Sequence, residues 1–212
     1  MNAPPGRFIT LEGGEGAGKS TQARRLAEAL RARGHPVLTT REPGGAPGAE
    51  ILRGLLLSGE VAWSLPAETL LHFAARAEHV ERTIRPALSA GTWVVCDRFY
   101  DSTMVYQGHA LGGDRAAIAT LARLLGLVPD LTIVLDLPVP AALARLQARG
   151  TAADRYERLG ADFFARVRAG FRAVAAAEPA RCAVVDADAD VAIVAARVWA
   201  LVEARGGGGV TP

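Results

Sequence analysis

A doubly wound α/β domain, with a five-stranded parallel sheet, helices on both faces and a small mobile lid, is the fold this 212-residue sequence predicts. Three observations carry it. Five short apolar runs alternate with segments of helical period, which calls for parallel strands and right-handed crossovers. The first run leads straight into Gly13-Gly14-Glu15-Gly16-Ala17-Gly18-Lys19-Ser20, which fits G-x-x-x-x-G-K-[ST]. No internal repeat or linker splits the chain.

Phe8 to Leu11 is a β-prone run entering the glycines, and Ala23, Leu26, Ala27 and Leu30 then recur at helical spacing until Gly34. Pro36 to Thr40 gives a second strand, and Arg41-Glu42-Pro43-Gly44-Gly45 forces a loop at its C-terminal end. From Pro66 to about Ala90 apolar residues repeat every three or four positions, with Glu78/Arg82 and Glu81/Arg85 spaced for ion pairs. Trp93 to Cys96 is an apolar strand ending in Asp97-Arg98, followed by a loop over Phe99–Gly113 and a helix from about Asp114 to Leu125. Leu131 to Leu135 is a fourth strand ending in Asp136, and Val139 to Arg149 is helical. Helix resumes over Ala161–Ala177, Ala183 to Val185 is a fifth strand, and Val191 to Ala204 closes the fold.

Half the residues are hydrophobic, enough for one buried core. The expected domain spans 7–205, with a lid at about 149–160 where the apolar pattern lapses, and disordered ends at 1–6 and 206–212. A formal net charge of +2 and arginines spread along the chain exclude a polyanion-binding tail, so no nucleic-acid partner is expected. No run of about 18 uncharged apolar residues suggests a membrane span. Cys96 and Cys182 lie in apolar runs and read as buried thiols, which points to a soluble cytoplasmic protein. His72 and His79 read as one solvated helix face, not as metal ligands.

Gly13 to Ser20 is a phosphate cradle: backbone N–H groups turn inward, the following helix adds its positive end, and Lys19 reaches the β- and γ-phosphates. Of 24 lysines and arginines, Lys19 is the sole lysine, and the ammonium point charge is not interchangeable with a guanidinium. Ser20 would hold Mg²⁺. Asp97 would orient the ion through water in preference to Asp136, which has the same context, because Arg98 beside Asp97 supplies a fork for a second phosphate. Arg41 and Arg98 follow strands on the rim where a phosphorylated acceptor would sit; a hydroxyl acceptor would need a base, and Glu42 is the candidate in that loop. Alternatively Arg41 and Glu42 form an exposed loop ion pair. Arg149 and Arg155 could act as an arginine finger on the transferring phosphoryl, and Phe73 with Arg76 could stack a planar base and bond its edge.

Together with the cradle Glu12 to Thr21, the runs Thr40 to Gly45, Phe73-Ala74-Ala75-Arg76, Gly91 to Val95 with Asp97-Arg98, Tyr106-Gln107-Gly108 and Pro129 to Thr132 make the chain resemble bacterial thymidylate kinases from about Arg7 to Ala204. The resemblance implies a P-loop kinase fold and a homodimeric cytoplasmic enzyme that transfers the γ-phosphoryl of Mg·ATP to dTMP for dTTP synthesis. It implies that Gly13, Gly14, Glu15, Gly16, Ala17, Gly18, Lys19, Ser20 and Thr21 bind ATP. Phe73 would stack on thymine, Arg76 bond its edge, and Arg41 and Arg98 hold the dTMP phosphate. Thr103 and Gln107 would lie beside the base, while Tyr106 crowds the sugar 2′ position. Glu15, with Gly16 where other members carry arginine, resembles the subtype whose lid supplies the catalytic cation, here Arg149 and Arg155. Val105 and Phe99 depart from the residues usual in the family.

Overall fold

The structure, a computed structural model, describes residues 6–150 and 155–207. The termini expected to be disordered lie largely outside these residues, as does 151–154 of the expected lid. Five parallel strands form one sheet: β1 (Phe8–Glu12), β2 (Val37–Arg41), β3 (Trp93–Asp97), β4 (Leu131–Asp136) and β5 (Cys182–Asp186). Their order is β2-β3-β1-β4-β5, so the first strand is central and the order reverses on either side of it. Because all pairs are parallel, every strand delivers its last residue to one end of the sheet. Asp97 is in register with Leu11 on one side and Arg41 on the other, which sets the phosphate loop, Asp97-Arg98 and Arg41-Glu42 side by side. That is where open α/β sheets bind ligands.

Both faces of the sheet are covered. Ile9, Leu11 and Val95 join a large cluster with Leu26 and Leu30 of α1 (Lys19–Arg31), Phe163 and Phe171 of α8 (Gly160–Ala177), and Val198 of α9 (Val191–Val202). The alternate residues Phe8, Val94 and Cys96 pack on Val80, Ile84 and Phe99. Period-2 alternation with apolar residues on both sides explains why these strands read as continuous apolar runs. Cys96 and Cys182 are buried free thiols, as the sequence suggests. No helix among the described residues is long and apolar enough to cross a membrane.

The long helix is continuous but not uniform: α3 (Leu65–His79) passes through a wider π turn at Val80–Ile84 into α4 (Arg85–Ser89). The expected pairs form, Arg82 on Glu78 at 3.4 Å and Arg85 on Glu81 at 2.8 Å. His72 and His79 are not on a solvated face; they are 8% and 0% exposed. Two further segments differ from the sequence reading. Pro47–Leu57 is a helix, α2, that the sequence pattern does not mark, because Gly48, Gly54 and the run Leu55-Leu56-Leu57 blur its period. Phe99–Gly113 is no loop: Tyr100–Thr103 forms α5 and Met104–Ala110 a π-helical segment. Asp101, Ser102, Thr103, Val105, Tyr106 and Gln107 are all buried there, so no exposed face marks a helical period. Helices α6 (Arg115–Leu124) and α7 (Val139–Arg149) fall where expected, and Asp114 caps α6 through the amides of Ala116 and Ala117.

Candidate active site

A cleft of about 590 Å³ opens at the C-terminal end of the sheet, within the size range of small-molecule sites. Its floor is the phosphate loop between β1 and α1. Gly13 has φ 136°, and a Cβ there would lie 2.5 Å from the Leu135 carbonyl oxygen, so neither backbone nor space admits a side chain. At Gly16, φ is 73° and a Cβ would meet the Ala142 carbonyl oxygen at 2.9 Å. The approach of α7 thus closes this position to arginine. Lys19 is buried and donates to the Gly14 carbonyl at 2.7 Å. Burial, then the nearby Arg98 charge, lower its pKa below the ordinary lysine value.

Ser20 at the start of α1 donates to Asp97 Oδ2 at the end of β3. Asp97 Oδ1 is buried and has no hydrogen-bond partner among the described residues. Asp136, the alternative acid, is bound by Arg168 at 2.7 Å and Arg172 at 3.0 Å and does not line the cleft. Those bonds to Arg168 depress its pKa despite partial burial.

Arg98 follows Asp97 in a left-handed conformation, φ 70°, which non-glycine residues adopt at a cost. Its guanidinium meets Glu15 at 2.5 Å, Tyr106 Oη at 3.1 Å, Ser102 Oγ at 3.1 Å and the Gly13 carbonyl at 3.1 Å. Tyr106 also donates to Glu15, at 2.9 Å. Burial alone would raise the Glu15 pKa, but Arg98, Lys19 and the Tyr106 hydroxyl together hold it down at about 2. Arg98 in turn is raised above the ordinary arginine value: burial opposes its charge, and Glu15, Tyr106, Asp97 and Glu12 together more than offset this.

The other half of the cleft is held by a buried network. Arg76 of α3 donates to Glu42 at 2.6 Å, to the Phe99 carbonyl at 3.2 Å and to Thr103 at 3.1 Å. His79 Nδ1 lies 3.0 Å from the second Glu42 oxygen, and its Nε2 lies 2.8 Å from Thr40 Oγ1. Glu42 is therefore not an exposed loop partner of Arg41: it lines the cleft with both oxygens engaged, one by Arg76 and one by His79. Arg41 instead meets Glu50 of α2 at 3.2 Å. Gln107 donates to Glu68 at 2.8 Å and to Tyr156 Oη at 3.0 Å, and Tyr156 donates to Glu68 at 2.8 Å.

Lys19, Ser20, Thr21, Glu15, Arg41, Arg76, Asp97, Arg98, Thr103, Tyr106, Gln107 and Arg149 all line the cleft, whereas Arg155, Gly13, Gly14 and Ala17 do not. Phe73 does not; it is buried, with the Arg76 guanidinium 4.8 Å from its ring centroid. His72, four residues before Arg76 on the same face of α3, lines the cleft instead. Burial, with Arg76, Arg155 and Arg98 adding to it, lowers the His72 pKa to about 3, which keeps the ring neutral. Arg155 lies on Glu68 at 2.5 Å, and Arg149 meets Glu157 at 2.6 Å. Arg53 and Ser102 are lining residues the sequence reading missed. Arg53 donates to the Pro43 carbonyl at 2.6 Å, and its only sequence signal is its place on the unread helix α2.

A phosphate loop on the central strand, an acid after the adjacent strand and a second arginine-lined compartment in the same cleft define a P-loop phosphotransferase with a built acceptor site. The thymidylate kinase family model matches residues 11–198. The chain belongs to the thymidylate kinase family. It is 59% identical over 189 residues to the thymidylate kinase of Gluconobacter oxydans, covering 87% of this chain and 88% of that protein. With the thymidylate kinase of Caulobacter vibrioides it shares 54% identity over 205 residues, 94% of this chain and 97% of the relative. The crystal structure of thymidylate kinase from Ehrlichia chaffeensis superposes with a TM-score of 0.77 at 34% identity, covering 94% and 99% of the two chains.

Proposed function

We propose that this chain transfers the γ-phosphoryl of ATP to dTMP, giving dTDP and ADP. One observation carries the reading: the phosphate loop and a second compartment, lined by Arg76, Arg98 and Gln107, open into one cleft. The loop amides and Lys19 hold the donor phosphates. A nucleoside monophosphate brings an oxygen that is already anionic near neutral pH, so no general base is required. The arrangement of Glu42 agrees, since Arg76 and His79 take both its oxygens.

Arg98, Arg53 and Arg41 bind the acceptor phosphate. Arg76 Nη1, buried and without a hydrogen-bond partner among the described residues, donates to a base carbonyl. The neutral His72 ring supplies the flat surface beside it, and Phe73 acts from beneath Arg76. Thr103 and Gln107 complete the base pocket, and Tyr106 favours a deoxyribose. Arg149 and Arg155 stabilise charge on the transferring phosphoryl. The Ser20 hydroxyl and the Asp97 carboxylate, with its partnerless Oδ1, are hard oxygen donors that suit Mg²⁺. Ser20 and Asp97 would hold the ion, Asp97 through water; when bound it neutralises charge on the donor phosphate oxygens.

The enzyme works as a cytoplasmic homodimer in this reading. Ile51 and Leu55, one turn apart on α2, are 70% and 46% exposed, and Leu70 on the adjoining α3 is 57% exposed, an apolar surface that a second copy would cover. Two buried free thiols suit a reducing compartment. Coupled ADP release should require dTMP and vanish in Lys19→Ala with the fold intact. Turnover on thymidine but not dTMP, or hydrolysis indifferent to every monophosphate, would overturn the assignment.

A further inference from the structure

Glu12, the last residue of β1, is wholly buried immediately ahead of the phosphate loop and plays no part in the reaction above. Its Oε1 accepts the Phe99 backbone N–H at 2.7 Å, and its Oε2 accepts the Ser102 hydroxyl at 2.6 Å. Phe99 is the residue after Arg98, and Ser102 Oγ in turn accepts from Arg98 Nη1 at 3.1 Å. The carboxylate thus grips the strained Arg98 at two points. One is the peptide that follows its left-handed backbone; the other is a hydroxyl that orients the guanidinium. A carboxylate is suited to this because it accepts at both oxygens, so the donors run in one direction from Arg98 through Ser102 to Glu12.

We infer that Glu12 is a positioning residue for acceptor recognition, fixing Arg98 toward the cleft through the Phe99 amide and the Ser102 hydroxyl. The inference rests on Arg98 binding the acceptor phosphate. Burial makes the arrangement costly for a carboxylate: desolvation, with Asp101 adding to it, pushes Glu12 up to about 8, so the form that accepts at both oxygens is the one present above that pH. Such a cost is ordinarily retained where geometry at a site depends on it.

The Glu12→Gln substitution keeps the shape and the acceptor for Phe99 but presents an amide donor to Ser102, which reverses one link. Above the Glu12 pKa, at about pH 9, calorimetric titration with dTMP should show affinity about tenfold weaker, the range expected when a hydrogen bond to a charged group is lost, with ADP affinity changed less than about twofold. Ser102→Ala should weaken dTMP similarly, and neither change should add to Arg98→Ala. Unaltered dTMP affinity in Arg98→Ala would overturn the phosphate assignment itself. A marked loss in Arg98→Ala beside a folded Glu12→Gln protein with wild-type dTMP affinity would overturn the positioning role alone, as would equal losses for ADP and dTMP. Should Glu12→Gln fail to fold, Ser102→Ala in the Arg98→Ala background decides: a further loss refutes the relay, and none upholds it.

Discussion

Glu42 and Arg76 meet at 2.6 Å with their side chains only 2% and 3% exposed, and the pair is unequal. Glu42 gives its second oxygen to His79, whereas Arg76 keeps Nη1 unpartnered among the described residues. A buried guanidinium is tolerable because the carboxylate compensates its charge. The remaining donor is then held rigidly, at little further entropy cost, for a carbonyl in the cleft.

Arg53→Ala should raise the KM for dTMP about tenfold or more and leave that for ATP nearly unchanged. Arg41→Ala should have the smaller effect, since its side chain is 54% exposed and lies on Glu50. Steady-state kinetics on the two variants checks the order, and a larger loss at Arg41 would reverse the roles assigned to these two helix and strand residues.

The lid arginines should show the opposite signature. Arg149→Ala and Arg155→Ala should each lower kcat by about 10²-fold or more with little change in dTMP affinity, because charge on the phosphoryl develops in the transition state. A loss of affinity with kcat intact would instead place them in acceptor binding.

His72 gives a pH dependence of definite sign. Its pKa falls from an ordinary 6.5 to about 3 in the folded chain, chiefly by burial. Below 6.5 the unfolded chain therefore takes up a proton that the folded chain does not, and stability drops as pH falls from 6.5 toward 3. The loss is at most about 1.4 kcal/mol per pH unit. Urea denaturation across this range should show a shallower slope for His72→Phe; identical slopes would mean that the folded protein protonates His72.

Behind the sheet, Arg181 donates to both Asp101 oxygens at 2.7 and 2.8 Å and to Thr132 at 2.9 Å. Glu178 also accepts from Arg181 at 2.7 Å, so Asp101→Asn removes the more buried of two carboxylate partners and should cost about 1.5–3 kcal/mol, the range for hydrogen bonds to a charged group. Thermal or urea unfolding measures it. A cost under about 1 kcal/mol would show that Glu178 and Thr132 suffice.

The five strands were legible to within a residue or so: β1, β3 and β4 are covered on both faces and read as apolar runs, and the part-exposed edge strands β2 and β5 are short runs bounded by turn residues. The segment 99–113 was not, because its helix is buried on most sides and polar there: Ser102, Thr103 and Gln107 serve the site, and their hydrogen bonds stand where an apolar stripe would. Motif residues fixed by a backbone device, Lys19 and Ser20 after the phosphate loop and Asp97-Arg98 at the end of β3, lie together in the cleft. His72 could have been found only from its i,i+4 spacing to Arg76. Arg53 and Ser102 carry no local pattern, and Glu12, though it opens the phosphate-loop run, shows nothing in the sequence of its bonds to Phe99 and Ser102, which only three-dimensional placement reveals.

Lys19 brings one further consequence, since it is the sole lysine of the chain and lines the cleft. An amine-directed acylating reagent therefore meets a single side-chain amine, one whose depressed pKa leaves more of it as the unprotonated form that acylates. A nucleotide lodged in the loop covers that amine. Set against the constant label on the α-amine, a second mass increment gained when the loop is bare and withheld when it is filled makes the protein its own occupancy gauge.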